Sequence, residues 1–253
     1  MKVDDVKKLQ HRKYREELHH FLVEGEHLIL ELQKAAATQP HLAQSQLFIT
    51  EQYQDWVAEN ISLNLRTTVV GHKAMSQMSD TKSPQGIIAA VPFAPVQASN
   101  LQPANAQPAK NERAIYLYEI QDPGNLGTIL RTLAWFGGFR CLLSANSVDP
   151  YNPKVVRSSM GAIFHVALEQ YVALEVVAER YTRIACLDMQ GKALSDCGFK
   201  EFDCYVFGNE ARGVPREQLE AMQAQPFTIN GSGAIESLNL ASAVNMCVYE
   251  LVR

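Results

Sequence analysis

From residue 113 to the end of the chain, short apolar runs alternate with amphipathic stretches. That alternation limits the fold more than any other feature. Strand candidates recur at residues 114–119, 139–144, 164–168, 182–187, 204–207 and 226–229. Residues 124–136 carry Leu126, Ile129, Leu130 and Leu133 at helical spacing. The last stretch, 238–251, puts Leu240, Val244, Cys247, Val248 and Leu251 on one face, with Ala241, Ala243 and Met246 elsewhere. A helix that is apolar nearly all round packs against more than one neighbour. Strands joined through helices pair in parallel and are covered on both faces, so the expected fold class is α/β.

Residues 93–112 break this pattern. Pro95, Pro103 and Pro108 stand among Ala, Gln and Asn, and proline disfavours a continuous helix or inner strand. The stretch reads as a linker between residues 1–92 and residues 113–253. The first piece also alternates. Residues 2–20 look helical and mixed in charge, and 24–37 carry Leu28, Ile29, Leu32 and Ala36 at helical spacing. Apolar runs follow at 47–50, 63–70 and 86–91, with a helical stretch near 53–59. This order predicts a second, small α/β domain.

Composition narrows the class. With 47% hydrophobic and 20% charged residues, the chain has an ordinary globular balance. A formal net charge of −4 excludes a strongly basic nucleic-acid-binding protein but leaves room for a local basic patch. No apolar run reaches the roughly 20 residues that span a bilayer. The charged N-terminus has no signal-peptide core, so export and a membrane partner are not expected. Five cysteines without a C-x-x-C pair fit reduced thiols in a cytoplasm, and neither a disulfide framework nor a metal site is expected.

Three polar loops carry chemistry, each following a strand candidate and leading toward a helix. The first is Asp122-Pro123-Gly124-Asn125-Leu126-Gly127, with Arg131 beyond it. A strand-to-helix turn presents free N–H groups, and Asp122 suits the cap. At 100° per residue, Arg131 lies about 140° from Leu126, off the apolar stripe. The second is Phe207-Gly208-Asn209-Glu210-Ala211-Arg212-Gly213-Val214-Pro215, in which two glycines let backbone approach a ligand closely. The third runs from Ile229 through Gly231, Ser232, Gly233 and Glu236 to Ser237, Leu238 and Asn239. Glu236 stands where a dinucleotide fingerprint needs its third glycine, which disfavours a Rossmann dehydrogenase. Ser237 is either a site residue or a plain N-cap. In open parallel sheets ligands bind at the C-terminal strand ends, where all three loops fall.

Taken in order, DPGNLGTILRT, FGNEARGVP and INGSGAIESLNLASAVNMCVYE resemble the three motifs of SpoU-type RNA 2′-O-ribose methyltransferases of the SPOUT class. Residues 83–91 (SPQGIIAAV) and 10–32 resemble the end and start of that family's ribosomal-protein-like substrate-binding domain. The resemblance implies a parallel α/β sheet with a deep trefoil knot, binding S-adenosylmethionine in the knot. It implies Gly208, Ile229 and Leu238 as cofactor-binding positions. It implies Asn125, Arg131, Glu210, Ser237 and Asn239 as polar site residues, completed across a homodimer. Asn230-Gly231 stands where the family commonly has Pro-Met, and Thr132-Leu133 where Thr-Ala or Asn-Ala is usual.

The implied reaction is attack of a ribose 2′-oxygen on a sulfonium methyl, with loss of the hydroxyl proton. Arg131 is the residue best placed by motif, either as electrostatic stabiliser of the developing alkoxide or phosphate clamp, or as a strongly perturbed base. RNA is the implied partner, ribosomal RNA ahead of transfer RNA. Lys2, Lys7, Lys8, Arg12, Lys13 and Arg15 form a basic arm with Tyr14 in it, and Arg157 near Gly161 is a second candidate RNA contact. The competing reading is a catalytically silent RNA-binding or ribosome-assembly protein on the same fold. Intact Asn125, Arg131, Glu210 and Asn239 argue against it.

Overall fold

The computed structural model describes residues 1–94, 112–195 and 198–253. The expected linker, 93–112, lies for residues 95–111 outside the described residues, as does Cys197. In chain order the elements are α1 (Val3–Lys8), α2 (Arg12–Leu18), β1 (His20–Glu24), α3 (Glu26–Ala36), β2 (Gln46–Ile49), α4 (Gln54–Asn60), β3 (Arg66–Val69), α5 (His72–Met78) and β4 (Ile87–Pro92). After residue 112 come β5 (Arg113–Leu117), α6 (Pro123–Phe136), β6 (Phe139–Leu143), α7 (Pro153–Ser158), β7 (Ala167–Glu169) and α8 (Leu174–Arg180). The chain ends with β8 (Ile184–Ala193), β9 (Cys204–Phe207), α9 (Arg216–Ala221), β10 (Gln225–Thr228) and α10 (Leu240–Val252).

Two compact units result. The first holds Met1–Ser99 and Asp149–His165, the second Asn100–Val148 and Val166–Arg253. In the first, a four-stranded sheet runs β1-β4-β2-β3; β4 is antiparallel to both neighbours, while β2 and β3 are parallel. Residues 2–20 are not one helix. The helical run breaks after α1, and His19 takes a left-handed φ of 52° before β1 begins. Phe21, Leu22 and Val23 of β1 are all buried, and a three-residue apolar run carries no period by which to recognise it. The helix expected from residue 24 starts at Glu26, after Gly25 at φ 99°.

Residues 149–165 lie beyond the expected linker, yet their apolar side chains complete this first core. Tyr151 packs on Phe21 and Phe93 at ring separations of 4.9 and 4.5 Å, and Val156 and Phe164 join Leu28, Leu32 and Ile87. Asp149 also receives the buried Arg15. The guanidinium Nε donates to Asp149 Oδ2 at 2.9 Å, and Nη1 donates to the Leu9 and Gln10 carbonyls at 2.7 and 2.8 Å. Arg15 therefore leaves the expected basic arm and becomes a structural clamp on the turn between α1 and α2. Lys7, Lys8 and Arg12 pair with Asp4, Asp5 and Glu16 on their own helices. Arg157 pairs with Asp80 at 3.3 Å.

The second unit carries a six-stranded sheet, β10-β8-β9-β5-β6-β7, with every pairing parallel. The α6 stripe is buried as its spacing requires: Leu126, Ile129, Leu130 and Leu133 are at most 1% exposed. α10 lies beside α6 in the same direction. Thr132 Oγ1 donates to Asn245 Oδ1 at 2.7 Å, and one turn on the Phe136 and Tyr249 rings are 6.3 Å apart. Of α10, Val244, Cys247, Val248 and Leu251 are buried. The strand expected at 164–168 is shorter and later, because Ala162–Phe164 form a 3-10 turn.

Asp149→Ala would leave the buried Arg15 charge without its counter-ion. The expected cost is about 3–5 kcal/mol of stability, the range for breaking a buried pair by removing one partner. Denaturant unfolding of the full chain measures it. Asp149→Asn should cost less, because one oxygen acceptor remains.

Candidate functional site

The ends of β5 and β9 are level, since Leu117 faces Phe207 in register. The loops that leave them therefore start side by side. Asp122 caps α6, its Oδ1 accepting from Asn125 N at 2.8 Å, with Pro123 in the first turn where no N–H is needed. The loop after β9 folds into a tight hairpin. Asn209 and Gly213 exchange backbone hydrogen bonds of 3.0 and 2.9 Å, and Asn209 Oδ1 accepts from the Ala211 and Arg212 amides. A Cβ on Gly208 would stand 2.1 Å from the Gly213 carbonyl carbon, so only glycine fits there.

Glu210 joins the two loops. Its carboxylate accepts from Gln121 N and Asp122 N, each at 3.1 Å, and from Asn125 Nδ2 at 3.2 Å. Asn125 Oδ1 in turn accepts from Asn239 Nδ2 at 2.9 Å. Asn239 Oδ1 accepts from Ser242 N at 3.2 Å, which makes Asn239 the N-cap of α10. One chain of side-chain hydrogen bonds thus ties the strand-to-helix turns after β5, β9 and β10. The capping role that Ser237 was a candidate for belongs to Asn239, and α10 begins at Leu240.

A broad cavity opens among these loops. It is lined by Asn125, Gly208, Glu210, Ile229, Ser237, Leu238 and Asn239, that is, by every sequence-derived site residue except Arg131. Arg131 is exposed on α6, about 9 Å further along the helix axis than Asn125 at 1.5 Å per residue. Among the described residues its guanidinium makes no hydrogen bond or ion pair. Glu210 faces the turn after β5 and leaves Arg131 alone.

The structure adds residues that the motifs did not single out. β8 pairs with β10 through a large bulge. Pro226 faces Cys186 while the next residue, Phe227, faces Lys192. The five residues between swing out, and Leu187, Asp188 and Met189 reach the cavity. Gly191 sits where a Cβ would be 2.4 Å from the Phe227 nitrogen. Arg216 clamps Asp188 through two bonds of 2.8 and 2.9 Å; burial pushes the Asp188 carboxyl up, but that guanidinium and the Gln190 amide together hold it below its ordinary pKa. Glu119, just after β5, pairs with Arg212, and its carbonyl accepts from Asn209 Nδ2 at 2.7 Å. The charged side chains lining the cavity are Asp122, Asp188, Glu210, Glu217 and Glu236 against Arg212 and Arg216, an excess of acid that suits a cationic ligand. No group of metal-ligating side chains occurs among the described residues.

Residues 112–249 match the SpoU rRNA Methylase family, and residues 1–89 match the MRM3-like substrate binding domain. The 23S rRNA (guanosine(2553)-2′-O)-methyltransferase RlmP of Bacillus subtilis is 29% identical over 99% of this chain and 95% of its own. A TrmH-family protein from Porphyromonas gingivalis superposes with a TM-score of 0.79 at 26% identity, over 98% of this chain and 96% of that one. The SpoU methyltransferase AviRb from Streptomyces viridochromogenes, solved with the cofactor AdoMet, shares the fold: TM-score 0.79, 20% identity, 99% and 96% coverage.

Gly208→Ala is expected to open the 208–213 hairpin, because the new methyl collides with backbone rather than with a movable side chain. Amide hydrogen exchange should then rise at Asn209 and Gly213, while the α6 core amides keep their protection.

Proposed function

The chain belongs to the SpoU rRNA methylase family, and from that premise we propose that it transfers a methyl group from S-adenosylmethionine to a ribose 2′-hydroxyl of ribosomal RNA. The observation that carries this reading is the cavity framed by three loops that are joined through Glu210, Asn125 and Asn239. S-adenosylmethionine supplies an electrophilic methyl on a positively charged sulfur. The cavity suits it. The hairpin at 208–213 brings Gly208 and Gly213 to the cavity wall, and the acidic excess matches a cation. Gly208, Ile229 and Leu238 hold the cofactor through their backbone, and Asn125, Glu210, Ser237 and Asn239 shape the pocket and orient the nucleotide. This reading includes a knotted path. It is supported by residues 229–239, which leave β10 at the sheet edge and return to Asn125 on α6.

Arg131 acts on the charge that develops at the attacking oxygen. Its position supports a site completed by a second copy of the chain. On the outer surface of α6 it stands one turn from Trp135, which is 83% exposed. Phe136, Met246, Tyr249 and Val252 extend that exposed apolar area along α6 and α10. An apolar patch of this kind marks an interface. Pairing two copies through it would place Arg131 at the junction, next to the partner's site. The first unit holds the RNA, as its likeness to a substrate-binding domain suggests. Among the described residues no helix is long and apolar enough to cross a membrane. The four described cysteines are free and buried, which supports a cytoplasmic setting.

The test is incubation with methyl-labelled S-adenosylmethionine and unmodified ribosomal RNA, followed by nuclease digestion and mass spectrometry. Label on a ribose supports the reading; label on a base, or none, refutes it. Arg131→Ala should lower turnover about 100-fold, as for a lost oxyanion donor, while leaving folding and cofactor affinity nearly intact. Trp135→Glu should shift sedimentation from dimer to monomer and abolish transfer with it.

A further inference from the structure

Three neighbouring strands end in the same unusual way. Glu119 follows β5 at φ 50°, Asn146 follows β6 at φ 63°, and Tyr171 follows β7 at φ 60°. All three lie at the C-terminal edge of the sheet, in the order β5-β6-β7 outward from the cofactor loops. The left-handed region costs little for asparagine, but tyrosine and glutamate pay for it. Such strain persists only where neighbours over-determine the backbone, and it gathers at functional sites.

Here the neighbours do over-determine it. Val172, next to Tyr171, donates its N–H to the Leu143 carbonyl at 2.9 Å, and its own carbonyl accepts from the buried Tyr116 hydroxyl at 3.0 Å. Gln121 Nε2 donates to both the Glu119 and Asn146 carbonyls, at 2.9 and 2.8 Å. The row is therefore rigid. It holds a tyrosine that is 58% exposed. With adjacent strands about 4.8 Å apart, Tyr171 lies about 10 Å from the turn after β5. That is close to the span of one or two nucleotides.

Resting on the methyltransferase reading, we propose that Tyr171 is a stacking platform for an unpaired base of the substrate RNA, next to the methylated nucleotide. Aromatic side chains recognise unpaired bases through their faces, and a ring on a rigid mount loses little entropy on stacking. Continuity with the cofactor loops favours RNA over another occupant. Between Tyr171 and the cavity the edge carries the polar groups of Asn146, Gln121 and Glu119, which suit the edges of bases.

The experiment measures binding of unmodified ribosomal RNA, transcribed in vitro, to the full chain by filter retention. Tyr171→Ala should weaken binding between about fivefold and a hundredfold, the range for losing one stacked base. Tyr171→Phe should bind as the parent does. Cofactor affinity by calorimetry should be the same in all. Tyr171→Gly should melt higher than Tyr171→Ala, since glycine relieves the strain, yet bind RNA no better. RNA binding of Tyr171→Ala equal to that of the parent would overturn the proposal. So would a parallel loss of cofactor affinity, which would mark the ring as a structural prop. Methyl transfer by the parent chain to the same RNA tests the functional reading separately.

Discussion

The Glu210 carboxylate is the group on which the site depends. Its two oxygens take the amides of Gln121 and Asp122, which open α6, and the side-chain amide of Asn125. Carboxylate acceptors make charge-assisted bonds, stronger than neutral ones, and the N-terminal end of a helix favours a negative charge. From Asn125 the chain passes to Asn239 and so to the start of α10. β10 and β5 are separated in the sheet by β8 and β9, so nothing in the strand pairing itself brings their loops together. The hydrogen-bonded side chains do that. The parallel packing of α10 on α6 then fixes the loops from the other side, through Thr132–Asn245 and Phe136–Tyr249.

Rigidity at this edge has a second source. The hairpin at 208–213 closes over Gly208 with no room for a side chain, and the ends of β5, β6 and β7 hold left-handed backbone in place. A methyl transfer needs donor and acceptor aligned along one line, and alignment by fixed elements reduces the entropy lost on reaching the reactive geometry. A buried ion cluster on β6 and β7 does other work. There Arg140 on β6 bonds to Glu112 and to Glu169 on β7, and Arg180 on α8 completes the pairing. These ion pairs tie strands and a helix together. The chemistry therefore gathers at the C-terminal strand ends, as it does in open parallel sheets.

Much of this was legible in the sequence because it rests on local period and local spacing. The α6 stripe Leu126/Ile129/Leu130/Leu133, the apolar α10 and the three glycine-bearing loops each leave a signal within about ten residues. The gathering of Asn125, Glu210 and Asn239 followed from family resemblance, and the hydrogen bonds give it a physical form. Other features have no such signal. The role of Arg15 depends on Asp149, 134 residues away, so no local spacing separates it from the basic residues around it. The membership of 149–165 in the first unit is likewise a long-range packing fact, carried by Tyr151, Val156 and Phe164. Glu119 and Tyr171 escape because a positive φ at a non-glycine residue leaves no trace in composition. Asn209 was findable, since an asparagine at a tight polar turn readily caps the amides that follow it.

The central claim is that Glu210, Asn125 and Asn239 act as one unit in building the cofactor cavity. A double-mutant cycle on S-adenosylmethionine affinity tests it most directly, using Glu210→Ala and Asn239→Ala, two residues joined through Asn125. Residues in one hydrogen-bond network show coupling of about 0.5–3 kcal/mol, whereas independent sites add. The account predicts coupling in that range, which disappears when the cycle is repeated in an Asn125→Ala background. Additive losses in both backgrounds would mean that the three loops are held independently, and would contradict it.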